Sequence, residues 1–249
     1  MKSEHYTERE IMLLFYIRHG HPTYNPDDLT PLGMEQAKAL SKRLVSYGID
    51  EIYASPKIRA QKTAEPTANL LGKEIKILDW ADESKAGSYF WYKDEKFSGW
   101  CWSHPETIRK FSSPQVCAMG SRWYEHPHFQ GTKYAEGIRM TECGVDEFML
   151  EQGYLHDRES CLYKAEFRNE KRIAIFAHQG AGMSILSSLL DIPYPIFSTR
   201  FDFGHSSMTV IKFGFPEDGA HAPRVLQLSN DSHLYREGLM TGYNGGYKF

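Results

Sequence analysis

Short apolar runs separated by amphipathic stretches set the pattern of this 249-residue chain. The first run, residues 13–17, is rich in aromatic and branched side chains and is too short for an amphipathic helix, so it predicts a buried strand. Apolar residues then recur at helical spacing after Thr30-Pro31, a hydroxyl N-cap followed by proline, and Gly48 ends that helix. Residues 51–54 predict a second strand.

Strands and helices alternate along much of the remaining chain. The predicted helices cover residues 31–47, 57–71, 141–169 and 183–190, and the predicted strands cover 13–17, 51–54, 74–78, 172–177, 208–213 and 224–228, the last at a sheet edge. This spacing is typical of a parallel sheet covered by helices. We therefore predict an α/β fold, a three-layer α/β/α sandwich with a mostly parallel central sheet.

Three segments do not follow this alternation. Residues 21–29 are rich in Pro, Asn and Asp and predict a loop, and the Gly-rich tail 241–249 predicts a flexible segment. Residues 88–140 combine many aromatic side chains with prolines and glycines, a composition that does not indicate disorder. We expect this aromatic-rich insertion to pack over the carboxyl edge of the sheet, as a substrate lid or as additional core, within a single domain covering residues 1–249.

Composition narrows the functional classes. A formal net charge of −3 argues against a protein that coats nucleic acid, so any bound anion must meet a local cluster of cations. The polar residues 1–10 and the short apolar run 11–17 predict neither a signal peptide nor a membrane span. We expect a cytoplasmic protein with no nucleic-acid or membrane partner, and its oligomeric state stays open. The widely spaced cysteines fit reduced thiols; they are Cys101, Cys117, Cys143 and Cys161.

Four predicted strands end beside side chains that suit an anionic substrate. Arg18 and His19 follow the first strand, and Arg59 lies in the first turn of the helix after the second. Glu83 follows the third strand, and His178 follows the strand at 172–177. Because the carboxyl ends of parallel strands meet at one edge of a sheet, we expect these side chains to converge.

The residue types in this set suit phosphoryl transfer. Two guanidinium groups can each donate paired hydrogen bonds to phosphate oxygens. One histidine can attack phosphorus to form a phosphohistidine, while a second, held protonated by the anion, stabilises the equatorial oxygens. A carboxylic acid can protonate the leaving oxygen and then activate water. The glycine-rich turn after His178, which contains Gln179 and Gly180, leads into a helix and also favours an anion.

Taken alone, each residue has an ordinary structural interpretation. Arg59 suits a solvated helix surface, His178 a hydrogen-bonded core position and Glu83 an exposed loop. His126 and His128 have the spacing of metal ligands, but no carboxylate or cysteine pattern accompanies them, so a surface loop is the favoured interpretation. Neither a metal nor a cofactor is predicted.

Several motifs together resemble the histidine phosphatase (phosphoglycerate mutase-like) superfamily. The resemblance covers about residues 11–87 and 141–213 in the order found in the family, and the joint match is highly specific. The motifs are, in chain order, Arg18-His19-Gly20 with Asn25, residues 29–33 (Leu-Thr-Pro-Leu-Gly), Ser55-Pro56-x-x-Arg59-Ala60-x-x-Thr63-Ala64, Glu83 with Gly87, and Ala177-His178-x-Gly180.

The resemblance implies a role for each matching residue. His19 is expected to be the nucleophile, with Arg18, Arg59 and His178 completing the phosphate pocket. Glu83 is the expected proton donor, and only its spacing to Gly87 distinguishes it from its neighbour Asp82. Further phosphate or substrate contacts are expected at Gly20, Asn25, Gln179 and Gly180. His205 is a candidate from its position alone, because it precedes the strand at 208–213, where it could line the site or equally be a structural capping residue.

Two departures favour a phosphatase over a mutase. Mutases of this family have a longer loop between the asparagine of the first motif and the Leu-Ser/Thr-Pro stretch, whereas here Asn25 and Leu29 are nearly adjacent. His21-Pro22 also replaces the usual acidic or polar residue followed by Thr or Ser. We predict a metal-independent phosphomonoester hydrolase of the histidine acid phosphatase type, which acts through a phosphohistidine on a small phosphorylated metabolite. A phosphoglycerate mutase-like phosphotransferase and a non-catalytic phosphate-binding module are the alternatives.

Overall fold

The computed structural model of the protein describes residues 11–215, 219–244 and 246–247. The polar N-terminus predicted at residues 1–10 lies outside this range. The strands are, in chain order, β1 (Ile11–Arg18), β2 (Pro22–Tyr24), β3 (Asp27–Leu29), β4 (Glu51–Ala54), β5 (Ile75–Ile77), β6 (Trp91–Lys93), β7 (Ser98–Trp100), β8 (Tyr154–Asp157), β9 (Leu162–Ala165), β10 (Arg172–Ala177), β11 (Met208–Gly214), β12 (Ala220–His221) and β13 (Arg224–Asn230).

The helices are, in chain order, α1 (Pro31–Tyr47), α2 (Ile58–Leu71), α3 (Glu83–Phe90), α4 (Pro105–Phe111), α5 (Pro114–Ala118), α6 (Tyr134–Glu151), α7 (Gln179–Leu190), α8 (Tyr194–Arg200) and α9 (Ser232–Arg236). The predicted caps of α1 are present. The Thr30 hydroxyl accepts the N–H of Gly33 at 3.1 Å, and Gly48 ends the helix with a φ of 70°. Within the described residues, no helix is long and apolar enough to cross a membrane.

The central sheet has the strand order β13-β11-β1-β10-β4-β5. Strands β1, β10, β4 and β5 run parallel, β11 is antiparallel to β1, and β13 is antiparallel to β11. The register pairs Arg18 with Ala177 and Phe176 with Ala54, so that β1, β10 and β4 end at the same level. The predicted mostly parallel sheet is confirmed, with β13 at its edge.

Side chains of the sheet alternate between two hydrophobic layers. Phe15 and Ile17 of β1 pack with residues of α1 and α2 such as Leu40. Leu14 and Tyr16 belong to the opposite layer, which includes residues of α6 and α7. Because the strand is covered on both faces, its sequence is a nearly continuous apolar run. The three-layer α/β/α sandwich is confirmed.

The aromatic segment, residues 88–140, is ordered and packs as part of the larger layer. Trp123 is buried and lies 5.2 Å from Phe111, 5.1 Å from Phe129 and 5.8 Å from Tyr194 of α8, measured between ring centroids. These contacts bury large apolar surfaces that would otherwise face water. The segment thereby supplies both additional core and a wall near the carboxyl edge of the sheet.

The single helix predicted over residues 141–169 is wrong. Helix α6 ends at Glu151, and Gly153, with a φ of 86°, turns the chain into the antiparallel hairpin of β8 and β9. The buried rings of Tyr154 and Tyr163 lie 5.4 and 5.2 Å from the ring of Phe213. Helical periodicity could not reveal this hairpin, because the partner that buries its tyrosines is far away in the sequence.

Three smaller predictions also need correction. Residues 21–29 form a hairpin of β2 and β3, and α7 begins at Gln179 instead of residue 183. In the tail, predicted to be flexible, the carbonyl of Gly242 accepts the N–H of His205 at 2.8 Å, and the Asn244 side chain is hydrogen bonded. The described part of the tail is therefore packed against the protein. Tail residues 245, 248 and 249 lie outside the described residues.

Candidate active site

The two histidines of the motifs leave the sheet side by side. His19 follows the last residue of β1, and His178 follows the last residue of the neighbouring strand β10. Their ring centroids lie 5.1 Å apart, and the N–H of His19 donates to the carbonyl of Ala177 at 3.0 Å. The parallel register thus fixes the relative position of both rings at the carboxyl edge.

Hydrogen bonds assign the protonation state of His19. Its Nδ1 lies 2.7 Å from the carbonyl oxygen of Gly20 and must donate a proton to it, since that oxygen can only accept. Its Nε2 is then unprotonated and accepts the N–H of Arg59 Nε at 3.2 Å. Burial lowers the pKa of His19 well below the ordinary value of 6.5, and the nearby His178, Arg18 and Arg59 add to the effect. His19 Nε2 therefore carries an electron pair that is not protonated and that is hydrogen bonded, among the described residues, only to Arg59.

The loop after β1 lies tightly against α1 and α2. The Gly20 N–H donates to Thr63 Oγ1 at 3.0 Å, and the Thr63 hydroxyl donates to the Arg59 carbonyl at 2.7 Å. A Cβ atom at Gly20 would lie 2.7 Å from the carbonyl oxygen of Gly33, so any larger residue would displace backbone. Gly20 is predicted as a phosphate contact, but its N–H is already hydrogen bonded to Thr63. In the structure its missing side chain is what allows the loop to approach the backbone of Gly33.

Arg59 is held on both sides. Its Nη1 donates to Asp27 Oδ1 at 2.5 Å, while its Nε points to His19. The guanidinium carbon lies 5.3 Å from the centroid of the Tyr24 ring, within the range of a cation–π contact. Asn25, predicted to touch the substrate, is exposed at the turn between β2 and β3. The hairpin thus contributes Asp27 and Tyr24, which the sequence pattern did not indicate.

Arg18 is almost fully buried, and the C-terminal tail contacts it. Its Nη2 donates to Asn244 Oδ1 at 2.5 Å and lies 2.8 Å from His205 Nε2, while its Nη1 donates to the carbonyl of Phe203. Its Nε is buried and has no partner among the described residues. Burial lowers the pKa of His205 to about 3, with the Arg18 charge adding to the effect, so this ring stays neutral and accepts from Arg18.

His178 is positioned by Ser55, the first residue after β4. The distance between His178 Nε2 and Ser55 Oγ is 2.7 Å, and Ser55 Oγ accepts the N–H of Lys57 at 3.3 Å. The Ser55 hydroxyl can therefore donate to Nε2, which leaves the proton of the neutral ring on Nδ1. His178 Nδ1 is buried without a partner among the described residues. Burial, followed by the charges of Arg59 and Arg18, lowers the pKa of His178 well below 6.5.

The two adjacent acids, Asp82 and Glu83, have different environments. The Glu83 carboxylate accepts the N–H groups of Gly180 at 3.1 Å and Ala181 at 2.7 Å, at the N-terminus of α7. Burial nevertheless raises the pKa of Glu83 above its ordinary 4.5. Asp82 caps α3 by accepting the N–H of Ser84 at 2.8 Å, and it lies 3.4 Å from Lys57 Nζ. The amide of Gly180, predicted to favour the phosphate, therefore binds Glu83 instead.

Comparison with known proteins agrees with the motifs. Residues 14–117 match the sequence model of the histidine phosphatase superfamily (branch 1), and this range contains Arg18, His19, Arg59 and Glu83. This part of the chain is therefore similar to the histidine phosphatase superfamily, and the match covers less than half of the chain. A protein of Hydrogenobacter thermophilus provisionally named phosphoserine phosphatase 2 is 34% identical over 91 residues, a match that covers 31% of this chain and 45% of that protein. The chain thus matches less than half of the length of this curated relative.

Solved structures share the histidine phosphatase fold. Phosphoserine phosphatase from Entamoeba histolytica, in complex with 3-phosphoglyceric acid, gives a TM-score of 0.56 at 18% identity and covers 90% of this chain and 99% of that chain. Mycobacterial glucosyl-3-phosphoglycerate phosphatase gives a TM-score of 0.55 at 17% identity and covers 88% and 99% of the two chains. At these identities the likeness establishes the fold alone.

Around this site, further contacts join the tail to α7. The Asn244 amide group donates to Gln179 Oε1 at 2.5 Å, and the Gln179 amide group donates to Asp202. Gln179, a predicted substrate contact, is thus engaged on both sides. Asn244 carries no recognisable sequence signal, because 226 positions separate it from Arg18. For Asp27 the only sequence signal was that it is an acidic residue in the polar loop 21–29, which precedes Arg59 in the chain.

The arrangement suits a bound oxyanion. Two guanidinium groups and the His178 Nδ1–H, which has no partner among the described residues, surround the neutral His19 ring. An anion would be stabilised there, because buried cations are costly unless an anion or hydrogen-bond acceptors compensate them. Across the described parts of the chain, no group of three or more His, Cys, Asp or Glu side chains is placed to hold a metal ion. His126 and His128, whose spacing suggested metal ligands, lie in a surface turn where the His128 N–H donates to His126 Nδ1.

We expect Arg59→Ala to weaken the binding of inorganic phosphate or vanadate by about 10- to 100-fold, because a hydrogen bond to a charged group contributes about 1.5–3 kcal/mol. Arg59→Lys should bind with intermediate affinity, since lysine keeps the charge without the planar fork. Isothermal titration calorimetry measures both affinities. Arg122→Ala removes an exposed arginine of the aromatic segment and is the control. Wild-type affinity in Arg59→Ala would show that the anion binds elsewhere.

Proposed function

We propose that this protein is a metal-independent phosphomonoester hydrolase that acts through a phosphohistidine at His19 on a small phosphorylated metabolite. The observation that carries the proposal is the neutral Nε2 of His19, hydrogen bonded to Arg59 Nε at 3.2 Å within a buried cationic pocket. A module that only binds phosphate has no need for a nucleophile. It also has no need for an acid of raised pKa such as Glu83.

In the first step, His19 Nε2 attacks phosphorus as the bond between phosphorus and the ester oxygen breaks. The protonated Glu83 carboxyl gives its proton to the leaving oxygen, which departs as the alcohol. Arg18 and Arg59 bind the phosphoryl oxygens, and His178 Nδ1–H donates to them without needing a second proton. The carbonyl of Gly20 stabilises the charge that develops on the His19 ring, because it already accepts from Nδ1.

In the second step, the Glu83 carboxylate takes a proton from water, and the water oxygen attacks phosphorus. The bond between phosphorus and His19 Nε2 breaks, inorganic phosphate leaves, and both His19 and the protonated Glu83 are restored. Only Thr30 separates β3 from α1, so the longer loop that mutases of this family have in this region is missing. This supports hydrolysis over transfer of the phosphoryl group to a second substrate.

The names of the relatives support a small phosphorylated substrate, since those proteins are called phosphatases of phosphoserine and of glucosyl-3-phosphoglycerate. The cysteines support a cytoplasmic setting, since Cys101, Cys117, Cys143 and Cys161 are all unpaired. We further propose that one domain carries the activity, with residues 88–140 as an insertion. Gly20, Gln179 and Gly180 then act by positioning, while the role of Asn25 remains a prediction.

Brief incubation with a labelled phosphate ester, followed by an alkaline quench, should trap acid-labile phosphate on His19. The yield should be unchanged when a chelator is present throughout, because the pocket's positive charge comes from its arginines. His19→Ala should trap none and should not turn over the ester. The assignment is wrong if this variant hydrolyses the ester at the wild-type rate, and metal independence is wrong if chelation abolishes the label and Zn²⁺ or Mg²⁺ restores it.

The leaving group should distinguish Glu83 from Asp82. Proton donation matters for a basic alkyl oxygen and much less for p-nitrophenolate, so Glu83→Gln should slow phosphorylation by an alkyl ester by about 10²–10⁴-fold and by p-nitrophenyl phosphate clearly less. Single-turnover phosphorylation is the measurement, because Glu83 also activates the water of the second step. Asp82→Asn keeps the cap of α3 and is the matched control. If it shows the leaving-group dependence instead, the acid is Asp82.

The pH profile of activity should have two limbs, one set by His19 and one by Glu83. His19 must be neutral, and because its pKa lies below 6.5, the acid limb of kcat/KM should lie below pH 6.5. Glu83 must be protonated, so activity should fall as the pH rises through its pKa, which is raised above 4.5. Wild type and Glu83→Gln should be compared on the same alkyl ester, because the titration of the substrate then affects both profiles equally. The alkaline limb due to Glu83 should be absent from the profile of Glu83→Gln. An alkaline limb that persists unchanged in this variant would contradict the assignment.

A further inference from the structure

A cavity of about 460 Å³ opens beside the catalytic pocket, within the range of about 300–1,000 Å³ usual for small-molecule sites. Its wall is continuous with the pocket, because Gln179 follows His178 and Asn244 contacts Arg18. The residues that define its chemistry are Trp100, Trp102, Gln179, Arg200, Asp202 and Asn244.

Trp100 is the part of this cavity nearest to the acid. A Cβ atom at Gly180 would lie 2.1 Å from Trp100 Cζ2, so the indole packs directly on the Gly180 backbone. The N–H of the same glycine donates to Glu83 at 3.1 Å. The indole ring is held in place by Trp102, which stacks at 4.7 Å, and by Trp91, which meets it edge-on at 5.5 Å. Trp100 is thus a rigid apolar surface that is separated from the Glu83 carboxylate only by Gly180.

The position of the acid determines where the leaving group lies. Glu83 must reach the ester oxygen, so the carbon bonded to that oxygen points toward the side of the pocket formed by Gly180 and Trp100. A second cavity, of about 250 Å³, shares Asn244 with the first, but His21, Tyr24 and His205 contribute to its wall and Trp100 does not. The cavity next to Trp100 is therefore the one that the leaving group enters.

The chemistry of the larger cavity is mixed. Trp100 offers an apolar aromatic surface, against which the C–H groups of a ring can pack. Around it lie hydrogen-bonding groups. Arg200, whose Nη1 donates to Thr199 Oγ1 at 2.9 Å, has further N–H groups, and Asp202 has a carboxylate whose Oδ1 accepts from Gln179 and Phe203. A hydroxylated ring can use both kinds of surface, whereas a three-carbon chain would leave most of the volume to water.

We propose that Trp100 is a specificity-determining residue, against whose indole a hydroxylated ring of the leaving group, as in a sugar or cyclic polyol phosphate, packs during hydrolysis. The proposal rests on the proposed phosphatase function. It assigns the leaving group to the cavity that borders Gly180, and it gives the aromatic segment a direct contact with the substrate.

The test compares kcat/KM for hexose phosphates and inositol monophosphate with kcat/KM for glycerol 3-phosphate and phosphoserine. Trp100→Ala should lower the ratio between the best ring-bearing ester and the best open-chain ester by about tenfold, the size of a good aromatic contact. Trp100→Phe should retain most of the ratio, because it keeps an aromatic face. Trp91→Ala removes a neighbour that supports Trp100 across the hairpin of β6 and β7 but does not line the cavity, so it should lower the ratio by less than Trp100→Ala does.

The outcomes separate this proposal from the general function. If Trp100→Ala lowers kcat/KM equally for both ester classes, the residue only supports Glu83 and the proposal is wrong. It is also wrong if the wild type prefers open-chain esters, or if Trp91→Ala changes the ratio as much as Trp100→Ala. In each of these cases hydrolysis itself stands. If the wild type hydrolyses no ester of either class, the proposed function fails, and the proposal fails with it.

Discussion

The burial of two guanidinium groups around one neutral imidazole is the constraint on which the rest of the site depends. Charges removed from water are costly unless acceptors replace the lost hydration, and here each arginine has its own set. Arg59 is held by Asp27, while Arg18 is held by Asn244, His205 and a main-chain carbonyl. These acceptors fix the guanidinium groups before any ligand arrives, so an incoming phosphoryl group meets preorganised donors. Burial, with this positive charge adding to the effect, lowers the pKa of His19 and keeps the ring unprotonated and therefore nucleophilic.

The N-terminus of α7 holds the carboxylate of Glu83. Helix N-termini attract anions, and phosphate would be the usual occupant in a phosphate-binding protein. In this protein the two free amides bind the Glu83 carboxylate, which fixes the acid beside the pocket. Two opposing effects act on Glu83, since the amides and arginines favour its charged form and burial favours its neutral form. Burial is the larger effect, and the pKa is raised. In the proposed mechanism, the Glu83 carboxyl group can thus hold a proton for the leaving oxygen and remain oriented by the two amides after losing it.

Long-range packing decides what can reach this centre. The aromatic segment packs Trp100 against Gly180, where only a glycine leaves room for the indole. From the opposite end of the chain, Asn244 joins Arg18 to Gln179. The phosphoryl site therefore consists of short motifs on strand ends, while its surroundings come from an insertion and a tail. This division allows one chemistry to be combined with different leaving groups, because the surroundings can change without moving the strands.

The sequence by itself determined the elements and residues whose signals are local. Strands β4 and β10, the caps of α1 and the order of the catalytic motifs could be predicted, because apolar runs, hydroxyl and glycine caps and motif spacing act over a few residues. Only the tertiary structure decided the hairpin of β8 and β9, the packing of the tail and the partners of the charged groups. Asn244 and Arg18 are 226 positions apart, and Gly180 and Glu83 are 97 positions apart. No local pattern encodes such a contact, because its free energy arises only after the sheet register has brought the two segments together.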